Sequence, residues 1–145
     1  MEHTDNPGSN STITPSTNTT NLTTSCDTID GTLTISPDFS GTLSLHELTE
    51  ITGDLTVDNV GALTQLNLPG LETLGGTLRV TDNDALTNLT LHTLQTIGEL
   101  DIKGNGKLDS VDLQNLEEVK GTFTVKGGFR LVNLFLSLIA TKLRK

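Results

Sequence analysis

The sequence has no tryptophan, no tyrosine, only four phenylalanines and a single cysteine among its 145 residues. One cysteine excludes a disulfide within the chain and a zinc site built from cysteines. Apolar residues make up 33% of the chain, which is below the roughly 45–50% of an ordinary globular domain. The shortfall is aromatic, because leucine alone occurs 25 times. We therefore expect a narrow core built from Leu, Ile and Val.

Positive charge is also scarce. Nine Lys and Arg stand against 18 Asp and Glu, which gives a net charge of −9, and no Lys or Arg occurs before Arg79. A nucleic-acid partner is excluded, because binding a polyanion requires Lys and Arg to displace its counterions. No apolar run reaches the ~18–20 residues that cross a bilayer, so we expect no transmembrane span.

Composition divides the chain into three parts. Residues 1–25 contain 12 Ser or Thr and few apolar side chains. This composition predicts a disordered arm, because such a segment cannot bury enough surface to offset its ordering entropy. Residues 26–126 carry short alternating runs of Leu, Ile, Val and Thr, and we expect them to form the folded domain. Residues 127–145 contain the apolar run LVNLFLSLIA before TKLRK, which predicts a partial unit, an apolar cap or an aberrant tail.

The middle part is an internal repeat of ~22–23 residues, which is the strongest signal in the sequence. Its first block recurs as TIDGTLTI (28–35), EITGDLTV (50–57), TLGGTLRV (73–80), TIGELDI (96–102) and EVKGTFTV (118–125). The apolar anchor of this block recurs at a nearly constant step, at Leu33, Leu55, Leu78, Leu100 and Phe123. A second block follows the template L-x-x-L-x-L-x-x-L-x-x-I, as in residues 63–74, 86–97 and 108–119.

Each unit contains two segments of period two, which predicts two short strands per unit. A unit of this length cannot bury its own apolar face and must stack on the next unit. We therefore predict a right-handed parallel β-solenoid of about five rungs with leucine-rich-repeat-like coils. Glycines precede the first strand of each unit, where we expect them to allow positive φ at a corner; they are Gly31, Gly53, Gly76, Gly98 and Gly121.

Parallel stacking would align the outward residues of the first strand into two rows, which we name the first-strand face and consider a candidate binding surface. The rows are Thr32, Asp54, Thr77, Glu99 and Thr122, and Thr34, Thr56, Arg79, Asp101 and Thr124. Arg79 should pair with Asp101. Glu99 and Asp101 come nearest to the acid pair of a polysaccharide-cleaving enzyme, but no complete catalytic set can be assembled, so we predict no catalytic residues.

Histidines and loop aspartates are the remaining candidates for a metal site. His46 and His92 fall in turns two rungs apart, roughly 10 Å at the strand spacing, and cannot share one ion. Asp58, Asp82 and Asp84 lie in DN and TDND loops, which Asn and Asp commonly fill because they tolerate left-handed backbone. We predict turns at these positions, with no metal and no cofactor.

Four N-x-[ST] sequons are candidate glycosylation sites. Three lie in the Ser/Thr-rich arm, at Asn10, Asn18 and Asn21. The fourth, Asn88, lies in a polar doublet of the repeat, between Leu86 and Leu89, where a glycan would remain in solvent. This placement is typical of a secreted glycoprotein.

The repeat also resembles a known family. The runs CDTIDGTLTI, LTEITGDLTVDNVGALTQLNLPGLETLGGTLRVTDNDALTNLTL and LQTIGELDIKGNGKLDSVDLQNLEEVKG are similar to fungal GPI-anchored cell-wall glycoproteins. These proteins serve cell-wall organisation and ascospore-wall formation, and their repeats resemble receptor L-domains. The resemblance covers about residues 26–126 and implies an extracellular β-solenoid with no catalytic residues. Cys26 matches the cysteine that opens the L-domain pattern, where a disulfide would cap the first rung, but this chain has no partner for it.

The two ends of the chain depart from that family. The first residues lack the basic start and apolar stretch of a signal peptide, and the last residues lack a GPI signal. The tail is predicted to keep register for another half-unit, with Leu131 one repeat step after Leu108. Phe135 would then take an outward position. We therefore expect a truncated family member.

Together, the residues and the resemblance predict a non-catalytic glycoprotein of the cell surface or cell wall that supports wall organisation and integrity. Its expected partners are wall polysaccharide or wall proteins. The first alternative is a general leucine-rich-repeat-like module that binds protein or glycan through its strand rows. The least favoured alternative is a polysaccharide-acting β-helix enzyme.

Overall fold

A computed structural model describes residues 11–13, 27–127 and 130–132. These residues form β-strands and no helix, in agreement with the predicted all-β class. The strands are β1 (Ser11–Ile13), β2 (Thr28–Ile29), β3 (Leu33–Ile35), β4 (Ser40–Ser44), β5 (Glu50–Ile51), β6 (Leu55–Asp58), β7 (Ala62–Asn67), β8 (Thr73–Thr81), β9 (Asn88–Thr90), β10 (Thr96–Lys103), β11 (Ser110–Asp112), β12 (Glu118–Val119), β13 (Phe123–Val125) and β14 (Arg130–Val132).

Equivalent strands of successive units pair in parallel and build a β-solenoid of about four turns. The nine-stranded sheet follows the order β1-β3-β6-β8-β10, with β12 and β13 both on β10 and with β2-β5 joining β8. The five-stranded sheet follows the order β4-β7-β9-β11-β14. The predicted anchor row is confirmed, because the paired Cα atoms of adjacent strands run through Leu33, Leu55, Leu78, Leu100 and Phe123.

Each unit also contains a third strand segment of two residues, which the sequence prediction of two strands per unit did not include. It is formed by β2, β5, the start of β8, the start of β10, and β12. In each of these segments the second residue is buried, at Ile29, Ile51, Leu74, Ile97 and Val119. Two residues are too few to show a period of two, which is why the pattern did not indicate a strand there.

The core is a continuous aliphatic strip inside the coil. The template positions of the second block are buried in all three units that carry it in full, and Leu63, Leu86 and Leu116 are 0% exposed. Phe39 is the one aromatic side chain that is buried among the described residues. The expectation of a narrow core of Leu, Ile and Val is confirmed.

Two asparagines lie in this interior, which the apolar pattern did not predict. The side-chain amide of Asn83 donates to the Val57 carbonyl at 2.9 Å, and its Oδ1 accepts from the Val60 N–H at 2.8 Å. Asn105 repeats the arrangement one rung later, with Nδ2 donating to the Val80 carbonyl at 2.8 Å and Oδ1 accepting from the Asn83 N–H at 3.0 Å. Because a buried polar group is stable only when it is hydrogen-bonded, these amides tie each turn to the adjacent rung.

Threonine hydroxyls satisfy carbonyl groups at the corners of the coil. Thr49 Oγ1 donates to the Asp27 carbonyl at 2.9 Å, and Thr87 Oγ1 donates to the Thr64 carbonyl at 3.0 Å. Each of these bonds joins a residue to the rung before it. The high threonine content therefore reflects corner hydrogen bonds as well as outward strand positions.

The expected role of the repeated glycines is wrong for all but the first of them. Of the five, Gly31 alone has positive φ, at 137°. The other four stack closely on the preceding rung, and a Cβ on Gly98 would lie 2.5 Å from the carbonyl oxygen of Gly76. A Cβ on Gly53 would lie 2.7 Å from the carbonyl oxygen of Gly31. At Gly53, Gly76 and Gly98 the backbone of the preceding rung excludes a side chain, whereas the nearest atoms to a Cβ on Gly121 belong to the Glu99 side chain.

Short strands close the two ends of the sheets. β1 comes from the arm predicted to be disordered, yet it pairs in parallel with β3 and covers its open edge. At the other end β14 pairs with β11, and Leu131 lies opposite Val111. The predicted alignment of Leu131 with Leu108 is wrong, because the connection from Val125 to Leu131 is shorter than the equivalent connection one rung earlier. Phe135 lies outside the described residues.

The glycine contacts predict that adding one methyl group lowers stability at a stacked glycine and has little effect at an open one. Gly98→Ala should lower the free energy of unfolding by about 1–3 kcal/mol, because the new Cβ overlaps backbone that cannot move away. Gly61→Ala is the matched control, since a Cβ there meets no atom within 4 Å, and should change stability by about 0.5 kcal/mol or less. Urea unfolding measures both, and equal effects would contradict the close-contact explanation.

Candidate functional site

The first-strand face forms as the repeat predicts. One row is joined by the register of its Cα partners, and it contains Thr34, Thr56, Arg79, Asp101 and Thr124. In the second row Thr77 lies opposite Glu99, and the Asp54 N–H lies 3.4 Å from Thr32 Oγ1. The outward residues therefore stand one rung apart, at about 4.8 Å.

The charged centre of this face is Asp101, whose side chain is 18% exposed. Its Oδ2 lies 3.0 Å from Lys103 Nζ and 3.7 Å from Arg79 Nε, so the predicted pair with Arg79 is confirmed. Lys103 is a second partner that sequence reasoning missed. The signal was available, because Lys103 follows Asp101 by two residues on the same strand and so lies on the same side of the sheet.

The other acids of this face are also engaged with neighbouring rungs. Asp54 Oδ1 accepts from the Thr77 N–H at 2.8 Å, and Glu99 Oε2 accepts from Thr77 Oγ1 at 3.5 Å. Glu99 and Asp101 belong to different rows and have different partners.

A second set of outward residues lies on the five-stranded sheet, and we name it the second-strand face. Its members are the polar letters of the second repeat block, and they form two rows. The rows are Thr42, Gln65, Asn88 and Ser110, and Ser44, Asn67, Thr90 and Asp112. Ser44 is buried and the other seven side chains are half-buried. Sequence reasoning did not treat these residues as a face, although the alternation of the L-x-L segments contains the signal.

The predicted sequon at Asn88 lies in the middle of the second-strand face. Asn88 begins β9, with Gln65 on one neighbouring strand and Ser110 on the other. Thr90, which completes the sequon, points to the same side because it lies two residues further along the strand. The remaining sequons, at Asn10, Asn18 and Asn21, and Cys26 lie outside the described residues.

The histidines, Asp82 and Asp84 lie in the turns and loops predicted for them, whereas Asp58 is the last residue of β6. His46 is exposed and His92 is half-buried, each just after a strand of the five-stranded sheet. Asp82 has a φ of 55°, as does Asn59 one rung earlier, which is the left-handed backbone that these residue types tolerate. Among residues 27–127 no group of three or more His, Cys, Asp or Glu side chains is placed to hold a metal ion.

Asp58 and Asp84 are the other two aspartates of this set, and each lies at the surface. The Asp58 carboxylate accepts a hydrogen bond from Thr81 Oγ1. Asp84 borders a shallow depression at the loop edge, together with Lys107 and Lys126. This depression contains no nucleophile paired with a base, so its chemistry is that of a solvated mixed-charge surface.

Comparison with known proteins identifies a domain family. A model of the receptor L domain matches residues 25–108, which is more than half of the chain. No curated protein and no solved structure has significant similarity to the chain. The matched residues include both strand blocks of the first three units and most of the fourth.

The geometry of Asp101 predicts a salt-dependent contribution to stability. Asp101→Asn should lower the free energy of unfolding by about 0.5–1 kcal/mol, because it removes the charge shared by Arg79 and Lys103. The loss should shrink in 1 M NaCl, where exposed charges are screened. Glu117→Gln, at an exposed turn, is the control and should have little effect at either ionic strength. A loss that salt does not reduce would contradict the ionic explanation.

Proposed function

The chain belongs to the receptor L domain family, whose members are non-catalytic, ligand-binding and typically extracellular modules, and we propose that it acts in the fungal cell wall. In this proposal the protein is a surface glycoprotein that supports wall organisation and integrity. Its ligands are wall polysaccharide or wall proteins. The proposal joins the family membership to the resemblance of residues 26–126 to fungal GPI-anchored wall glycoproteins.

The observation that carries a binding role is the regular arrangement of outward residues on the described domain. These residues lie in rows, and the carboxylates of the first-strand face are engaged by Arg79, Lys103 and Thr77. Regularly spaced polar groups suit an extended ligand. A glycosidase would instead need two carboxyl groups that are free to act on a scissile bond.

The described residues contain no helix that is long and apolar enough to cross a membrane.

The domain limits and modifications form part of the same proposal. The module spans residues 26–126, between the Ser/Thr-rich arm 1–25 and the tail 127–145. Asn10, Asn18, Asn21 and Asn88 are its glycan acceptors. Cys26 is its candidate capping cysteine by the family resemblance, and the chain contains no second cysteine. Support for these assignments comes from composition, sequons and the family resemblance.

Cell fractionation tests the location. Protein tagged in the cells that produce it should be recovered from the wall or outer-membrane fraction. Its electrophoretic mobility should increase after treatment with an endoglycosidase. A cytosolic protein whose mobility is unchanged by the enzyme would overturn the wall proposal and leave the general binding module as the better description.

Loss of the two central acids tests the absence of catalysis. The double variant Glu99→Gln with Asp101→Asn should restore wall-stress resistance to cells that lack the protein as fully as the natural chain does. The reason is that neither carboxylate performs chemistry. Gly98→Ala serves as a control, because destabilising the solenoid should reduce rescue. If the folded double variant fails to rescue, and natural protein degrades wall glucan, the enzyme alternative is correct.

A further inference from the structure

The two strand faces differ in how far their polar side chains are already engaged. On the first-strand face, the charged side chains already have partners. Asp101 lies beside Arg79 and Lys103. Thr77 donates to Asp54 through its N–H and to Glu99 through its hydroxyl. On the second-strand face, the side chains of Gln65, Asn67, Asn88 and Thr90 make no hydrogen bond to any other described residue. Each remains half-buried at a fixed strand position. The second-strand face therefore offers unused donors and acceptors that are already held in place.

The chemistry of these groups selects a class of ligand. Each amide presents donors and an acceptor, and each hydroxyl can do both. The face contains one charged residue, Asp112, whose Oδ1 already accepts from the Gln114 N–H at 3.2 Å. It contains no apolar or aromatic outward residue in the two rows carried by β4, β7, β9 and β11. Such a surface complements a neutral ligand that is rich in hydroxyl groups.

Other classes of ligand fit this face poorly. A protein partner is usually anchored by buried aromatic residues or arginine, and none lies in these two rows. An anionic polymer or an anionic membrane would meet a chain of net charge −9. The rows on β4, β7, β9 and β11 contain no basic residue, and Arg130 pairs with Ser110 only on the end strand β14. Repetition of similar groups at intervals of about 4.8 Å along the coil favours a ligand that is itself extended and repetitive.

We propose that the second-strand face binds a neutral polysaccharide chain laid across β4, β7, β9 and β11, and that an N-linked glycan on Asn88 closes this face. The glycan would cover Gln65 and Ser110, which flank Asn88 on either side. Occupancy of one sequon then decides whether the face is open. This inference rests on the proposed binding function and deepens it by naming the ligand class and the surface, and it does not depend on where the protein is located.

Binding to a soluble neutral β-1,3-glucan tests the proposal. The full chain made in bacteria carries no N-linked glycan and should bind the glucan in affinity electrophoresis and calorimetry. The variant Gln65→Ala with Asn67→Ala should bind at least tenfold more weakly, because both lost amides lie at the centre of the face. A carboxymethylated form of the same glucan should bind more weakly than the neutral form, because carboxymethyl groups replace hydroxyls and add negative charge.

Matched variants separate this surface from the rest of the protein. Thr34→Ala with Thr56→Ala changes one outward residue on each of two neighbouring rungs of the first-strand face and should leave glucan binding unchanged. Urea midpoints within error of the natural chain would establish that all the variants fold. Equal loss of binding in both double variants, or no binding of the neutral glucan by the natural chain, would overturn the proposal.

The role of Asn88 is tested in a secretory host. With Asn10, Asn18 and Asn21 changed to Gln, a glycan can be attached at Asn88 alone, and the glycosylated fraction should lose at least tenfold in glucan binding. Asn88→Gln in the same background prevents modification, keeps an amide at that position and should restore binding. Retained binding by the glycosylated fraction would refute the closing step. Full occupancy of Asn88 in protein from its natural cells would overturn the proposal that the face is open for binding in those cells. Cell fractionation tests the wall location in a separate experiment, so the wall proposal and the glucan-binding proposal can fail independently.

Discussion

The whole structure depends on contact between successive rungs at the spacing of a parallel sheet. No single unit could bury its leucines or satisfy its backbone, so each rung is stable only against its neighbours. The same short distance accounts for the other regular features. It leaves room for hydrogen in place of a side chain at Gly98, lets Asn83 reach the backbone of the rung before it, and lets Thr87 reach the Thr64 carbonyl.

This spacing also organises the surface. Outward residues fall into straight rows, so that a face acquires its character from whichever residue types recur at equivalent positions. On the first-strand face the Asp101 carboxylate lies between Arg79 and Lys103, which balance its charge. The second-strand face repeats amides and hydroxyls that remain available. Two surfaces of one coil therefore have different chemistry without any change in the backbone.

Sequence reasoning predicted the register between rungs well, because the spacing of the anchor leucines along the chain measures it directly. A nearly constant spacing is compatible with only one way of stacking the units. It gave the wrong reason for the repeated glycines, because a close approach of the backbone to another rung cannot be recognised in the local sequence. Asn83 and Asn105 have the sequence context of ordinary loop residues, and their burial follows only from the stacking of the turns. Leu131 was misaligned because a constant step was extended past Val125, where the connection shortens. The alternation of apolar and polar residues in the second repeat block predicts which residues form the second-strand face. Which of those side chains lack a hydrogen-bond partner depends on the folded coil.

The stacked glycines also constrain how such a protein can evolve in length. Each of Gly53, Gly76 and Gly98 must fall beside the backbone of the rung before it, so an insertion that shifts the strand register would place a bulky side chain in that contact. Duplication of a complete unit restores every contact at once. Genes of this kind should therefore gain or lose sequence in whole multiples of the unit, and smaller insertions should be confined to the outer loops.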